Sequence, residues 1–109
     1  MYLADKNCSP ITGGPPLTPQ QANVLRSQLL LAWQIDPNNQ FLYFDFLFIN
    51  FQETMAFVNA LAWIVNQQDH HPDMEIGYKH CLVRYSTHSI GGLSENDFIC
   101  AAKIEQLVT

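Results

Sequence analysis

Basic residues are scarce in this 109-residue chain. Five Lys and Arg stand against ten Asp and Glu, a formal net charge of -5, and no segment gathers the five into a stripe that could track phosphates. Direct nucleic-acid binding is therefore not expected. Cysteine is scarce too: Cys8, Cys81 and Cys100 are odd in number, scattered, and contain no Cys-x-x-Cys pair. That pattern argues against a disulfide framework and for reduced thiols, with Cys81 and Cys100 as small core residues. Apolar runs are broken by Gln, Asp or Asn well short of a bilayer span, and the start MYLADKNCSPITGG lacks the basic and apolar regions of a secretory signal. A cytoplasmic protein without membrane contact is the expectation. Strong internal repeats and low-complexity segments are missing as well.

What is present is a core. Apolar residues make up 48% of the chain, with seven Phe, four Tyr and two Trp, enough for one modest globular domain and too little for two. A domain of this size gains stability by association, so an oligomer is expected.

Residues 1–17 carry Pro10, Pro15 and Pro16 around Gly13 and Gly14 without any period, and read as a loosely docked arm. The domain is expected over 18–109. Thr18, Pro19 and Gln21 are an N-cap, a first-turn proline and a capping-box partner, and Ala22, Leu25, Leu29 and Ala32 continue at helical spacing to about Leu31. Residues 33–36 alternate, Pro37-Asn38-Asn39 supplies a turn, and 40–49 is an aromatic-rich strand apolar on both faces, so it should be central. Asn50 and Glu53 cap a second helix with a stripe of Phe51, Met55, Val58, Ala62 and Val65, flanked by Phe57, Leu61 and Ile64, ending near His70 and His71 ahead of Pro72. Two alternating strands follow, with His80 in the turn between them and His88 ending the second. Ser94 and Asp97 then open a last helix. The predicted order is α-β-β-α-β-β-α, an α+β domain with a four-stranded antiparallel sheet and three helices on one face.

Three of the four histidines remain to be explained: His70 and His71 at a helix end and His88 at a strand end, where element termini form pockets. Metal chemistry fits poorly. Adjacent residues on a helix diverge by about 100 degrees, whereas zinc helices offer ligands four apart, and only Asp97 is at hand as a fourth ligand. Nothing around Cys81 activates it as a nucleophile. The segment SIGGLS (89–94) precedes a helix as a phosphate nest would, but no P-loop lysine follows. General acid–base chemistry fits better, because imidazoles titrating near neutrality can donate one proton and accept another without a cofactor. Addition or elimination of water on a heterocycle suits such a site. Trp33 is a candidate stacking wall or a core residue.

The set DHHP (69–72), Tyr78 and STHSIGGLSENDF (86–98) resembles the signature of the pterin-4a-carbinolamine dehydratase family: His-His-Pro, then an aromatic, a His, and an Asp nine residues later. The resemblance extends over roughly 18–108. It implies the fold above and dehydration of 4a-hydroxytetrahydropterin to quinonoid dihydropterin, recycling the pterin of aromatic amino-acid hydroxylases, with no cofactor or metal. It implies His70 and His88 as the acid–base pair and His71 as a ring-orienting residue. A pterin pocket bounded by Trp33, Asp69, Pro72, Thr87, Ser89, Ile90 and Asp97 goes with it, although Asp97 also reads as a helix cap. As partners it implies the pterin, a second copy in a homodimer or homotetramer, and an aromatic amino-acid hydroxylase. Asn66 departs from the pattern, since family members usually carry a charged residue four positions before the first His. Two other readings stay open: a non-catalytic dimerisation or interaction module, as some family members serve a transcription factor, and action on another pterin such as a molybdenum-cofactor intermediate.

Overall fold

The computed structural model describes residues 2–109. A short 3-10 turn at Leu3–Asp5 precedes α1 (Pro19–Arg26), β1 (Gln34–Ile35), β2 (Leu42–Leu47), α2 (Phe51–Gln68), β3 (Asp73–Ile76), β4 (His80–Tyr85), a second 3-10 turn at His88–Ile90, and α3 (Glu95–Glu105). The strands form one antiparallel sheet in the order β1-β2-β4-β3, so the aromatic-rich strand is central as expected, although only one of its faces is covered and Asp45 and Leu47 on the other are exposed. Leu42, Phe44 and Phe46 lie opposite Tyr85, Val83 and Cys81. Period-two alternation puts all six on one face, where the helices cover them. Trp33, Phe44, Phe46 and Phe57 interlock there, with ring centroids 4.6 to 5.6 Å apart.

α1 is shorter than its spacing predicts. It stops at Arg26, where the N–H groups of Gln28 and Leu29 turn to the carbonyls of Leu25 and Arg26 three residues back, and it does not resume because the backbone N–H groups of Leu30 and Leu31 donate to the Glu105 carboxylate, at 2.6 and 3.0 Å. The Trp33 indole N–H donates to the same carboxylate at 3.0 Å, and Glu105 is only 2% exposed. α2 begins as its cap foretells, with Asn50 Oδ1 accepting from Glu53 N at 2.8 Å. Its buried line is Thr54, Phe57, Val58, Leu61 and Val65, leaving Phe51 exposed. Thr54 takes the inward place because its hydroxyl reaches the carbonyls of Asn50 and Tyr78. The helix ends before the histidines: Asp69 adopts the left-handed region at φ 50° and turns the chain at Gln68. His70 and His71 therefore sit past the helix, free of helical spacing. His80 is the first residue of β4 and not a turn residue, and His88 lies in the 3-10 turn beyond β4.

Candidate active site

Four segments meet at a cavity of about 590 Å³. The end of α2 brings Gln67 to His71, the turn after β4 brings Ser86 to Ser89, α3 brings Asn96, and the N-terminal arm brings Cys8 to Thr12. His70, His71 and His88 are thus gathered around one space from two loops, with Asp69, Thr87 and Ser89. Pro72, Ile90 and Asn66 lie outside the lining, and so does Asp97, which is buried beneath it.

The floor is a network around Asp97, which has no solvent exposure. One carboxylate oxygen, Oδ1, is 2.6 Å from His70 Nε2. The other accepts from Ser94 N at 2.9 Å and from the Thr87 hydroxyl at 3.0 Å, and that hydroxyl is itself 2.6 Å from the Ser94 Oγ. Asp97 therefore does two jobs: it caps α3 and it holds a histidine. Tyr85 adds a third restraint, its ring stacked on the imidazole at 5.1 Å and its hydroxyl donating to the His70 carbonyl at 2.9 Å. The sequence reading assigned Tyr85 no role at the site.

These contacts set the proton affinity of His70. Burial disfavours its charged form, but the hydrogen bond and negative charge of Asp97 outweigh that, and the pKa is raised above the usual histidine value. Nε2–H facing a carboxylate leaves Nδ1 as the exchanging nitrogen. Nδ1 has no partner among the described residues, where no buried side-chain polar atom is left unpaired, so it is open to the cavity. His71 and His88 are exposed at the rim. Among the described residues, no three His, Cys, Asp or Glu side chains converge as metal ligands.

Trp33, the candidate stacking wall, is fully buried against Phe44 and Phe46 and bonded to Glu105, away from the cavity. The wall comes instead from the arm, which the proline-rich sequence did not reveal. Cys8 N donates to Gln68 Oε1 at 2.7 Å, the Asn96 amide bonds Ser9 N and Ser9 O at 3.2 and 2.7 Å, and the Ser89 hydroxyl donates to Ile11 O at 2.5 Å. Gly92 permits the close approach: a Cβ there would lie 2.7 Å from Pro16 Cβ.

In this α+β sheet domain the cavity joins a carboxylate-held histidine to two exposed ones, the residue types that acid–base chemistry uses. Residues 15–107 match the family model described as pterin 4 alpha carbinolamine dehydratase, and the chain belongs to that family. A Nitrosomonas eutropha protein named "Putative pterin-4-alpha-carbinolamine dehydratase" is 54% identical over 107 residues, 97% of this chain and 93% of that one. A Legionella pneumophila (strain Corby) protein of the same name is 48% identical over 97% of this chain and 95% of its own. Among solved structures, a transcriptional coactivator/pterin dehydratase from Brucella melitensis superposes with a TM-score of 0.81 at 26% identity, covering 86% of this chain and 99% of that one.

Proposed function

We propose that this chain removes water from 4a-hydroxytetrahydropterin, giving quinonoid dihydropterin, with histidines moving both protons. The observation that carries the reading is the 2.6 Å contact between His70 and the buried Asp97 at the floor of a cavity rimmed by His71 and His88. The C4a hydroxyl leaves as water only if it gains a proton, and N5 must lose one. His70, kept protonated by Asp97, is the donor to the hydroxyl. His88 takes the N5 proton, and His71 binds and orients the ring. The elements of one water leave and no electrons are exchanged, so the reaction needs neither metal nor redox cofactor. The proton gained by His88 and the one spent by His70 are restored through solvent, which reaches the exposed rim.

The same reading gives the product to an aromatic amino-acid hydroxylase as recycled pterin, and gives the chain a homodimeric or homotetrameric state. Exposed Leu47, Ile49, Phe51 and Trp63, together with the free edge of β3, support association. A monomer mass in sedimentation at micromolar concentration would refute it.

The decisive assay follows quinonoid dihydropterin formed from 4a-hydroxytetrahydropterin that a hydroxylase generates in situ. Wild type accelerates dehydration, and His88→Ala loses about 10² to 10⁴ of that acceleration. No acceleration by folded wild type would turn the weight to an interaction module.

A further inference from the structure

The arm is laid along one face of α3. Asn96, Cys100 and Lys103 recur at helical spacing and meet Ser9, Cys8 and Ala4 in turn. The middle contact joins two thiols: Cys8 Sγ lies 3.5 Å from Cys100 Sγ, across 92 residues of sequence. Backbone bonds of Cys8 to Gln68 and of Ser9 to Asn96 hold the arm in that register. Cys8 is half-buried and lines the cavity, whereas Cys100 is fully buried beneath it.

We propose that Cys8 and Cys100 are a redox-active pair that closes to an intramolecular disulfide, fastening the arm to α3 along the cavity wall. A disulfide of about 2.05 Å requires the sulfurs to approach by roughly 1.5 Å, a movement the arm supplies more readily than the packed helix. The two thiols differ in proton affinity. A hydrogen bond from the Cys8 thiol outweighs the cost of burial at Cys100, with help from the Tyr85 hydroxyl and His70, and its pKa is lowered. Cys8 is raised by the same bond and by burial. Of the two, Cys100 is the readier to release its proton. Cys81, which shares no such contact, is pushed up to about 11 by burial and the charge of Asp45.

With a peroxide as oxidant, Cys8, the thiol that lines the cavity, attacks one peroxide oxygen through Sγ, the O–O bond breaks, and the thiol proton goes to the departing oxygen, which leaves as water. Cys100 then attacks the sulfur of the Cys8 sulfenic acid and expels water. Two thiols and one peroxide give one disulfide and two waters, each sulfur losing one electron and the peroxide gaining two. A dithiol reverses the change by exchange. This pairing is independent of what the cavity binds.

The test treats the purified full chain with hydrogen peroxide, counts free thiols after denaturation, and maps the tryptic peptides. Cleavage at Lys6, Arg26, Lys79, Arg84 and Lys103 places Cys8 in 7–26, Cys81 in 80–84 and Cys100 in 85–103. Expected are loss of two of the three thiols, a linked 7–26/85–103 product lighter by two hydrogen atoms, and an intact Cys81 peptide, all reversed by dithiothreitol. Cys81→Ser should cross-link as wild type does. Cys8→Ser should lose no thiol. Oxidation of Cys8 to a sulfenic or sulfinic acid without a link, a link to Cys81, a link between two chains, or no thiol loss would each overturn the pairing.

Discussion

Helix α3 carries two buried carboxylates eight residues apart, Asp97 and Glu105, and they serve opposite ends. Both are almost wholly withdrawn from water, and both satisfy three donors. Glu105 is ringed by groups that do not titrate: two backbone N–H groups and an indole. Asp97 shares the same geometry with a hydroxyl, a backbone N–H and an imidazole, and the imidazole can gain or lose a proton at neutral pH. Burial and full hydrogen bonding alone therefore do not make a carboxylate chemical. What sets Asp97 apart is a titratable partner that also opens to a cavity.

The largest effect should come from breaking the structural carboxylate. Glu105→Ala removes a charged acceptor and strands the Leu30 and Leu31 N–H groups and the Trp33 indole, which should cost about 3 to 5 kcal/mol of stability. Turnover per folded molecule should stay near wild type. Denaturant unfolding, with activity normalised to the folded fraction, checks both halves. Asp97→Asn should invert the pattern. The amide keeps the volume and one oxygen but loses the charge that holds His70 protonated, so dehydration should slow by about 10²-fold, near 2.7 kcal/mol in the barrier. A variant whose rate is retained while only its stability falls would reduce Asp97 to a helix cap.

The two carboxylates also differ in how legible they were. Asp97 lies three residues from Ser94, so its capping role is local and readable, and the His-His-Pro, His and Asp spacings singled out the histidines that the cavity collects. Glu105 acts on Leu30 and Leu31 from more than seventy residues away. Nothing near Leu31 tells the reader that its N–H is spoken for, and the predicted helix ran on. Trp33 failed for a related reason: an aromatic beside a strand can face cavity or core, and only the indole's bond to Glu105 decides it. The arm was the least legible element. Its partners Gln68, Asn96 and Cys100 are 60 to 92 residues away, and it docks mostly through backbone groups, which have no sequence signature.

A smaller effect sharpens the contrast between floor and wall. Asn96→Ala removes both amide bonds to Ser9 while leaving His70, Thr87 and Ser94 on Asp97. The arm should then loosen as a cavity wall. For the proposed reaction, KM should rise by about tenfold, the worth of roughly 1.4 kcal/mol of hydrogen bonding, with kcat little changed. An equal fall in kcat would mean that the arm, like Asp97, bears on the reacting centre.

The mildest test reads the His70–Asp97 contact directly, by following the His70 ring protons in NMR across the pH range. In wild type the midpoint should lie above the ordinary histidine value, because Asp97 outweighs burial. In Asp97→Asn only burial remains of those two influences, and the midpoint should fall. The sign carries into stability. A histidine whose folded pKa exceeds its unfolded value of about 6.5 contributes stabilisation that is complete below that pH and fades as pH rises through the folded pKa. The stability gap between wild type and Asp97→Asn should therefore be widest at about pH 6 and narrow on the alkaline side. Glu105→Gln, which has no titrating partner on its carboxylate, should lower stability by an amount that does not follow the His70 midpoint. A gap that tracked that midpoint in both variants would show that the difference between the two carboxylates does not rest on the histidine.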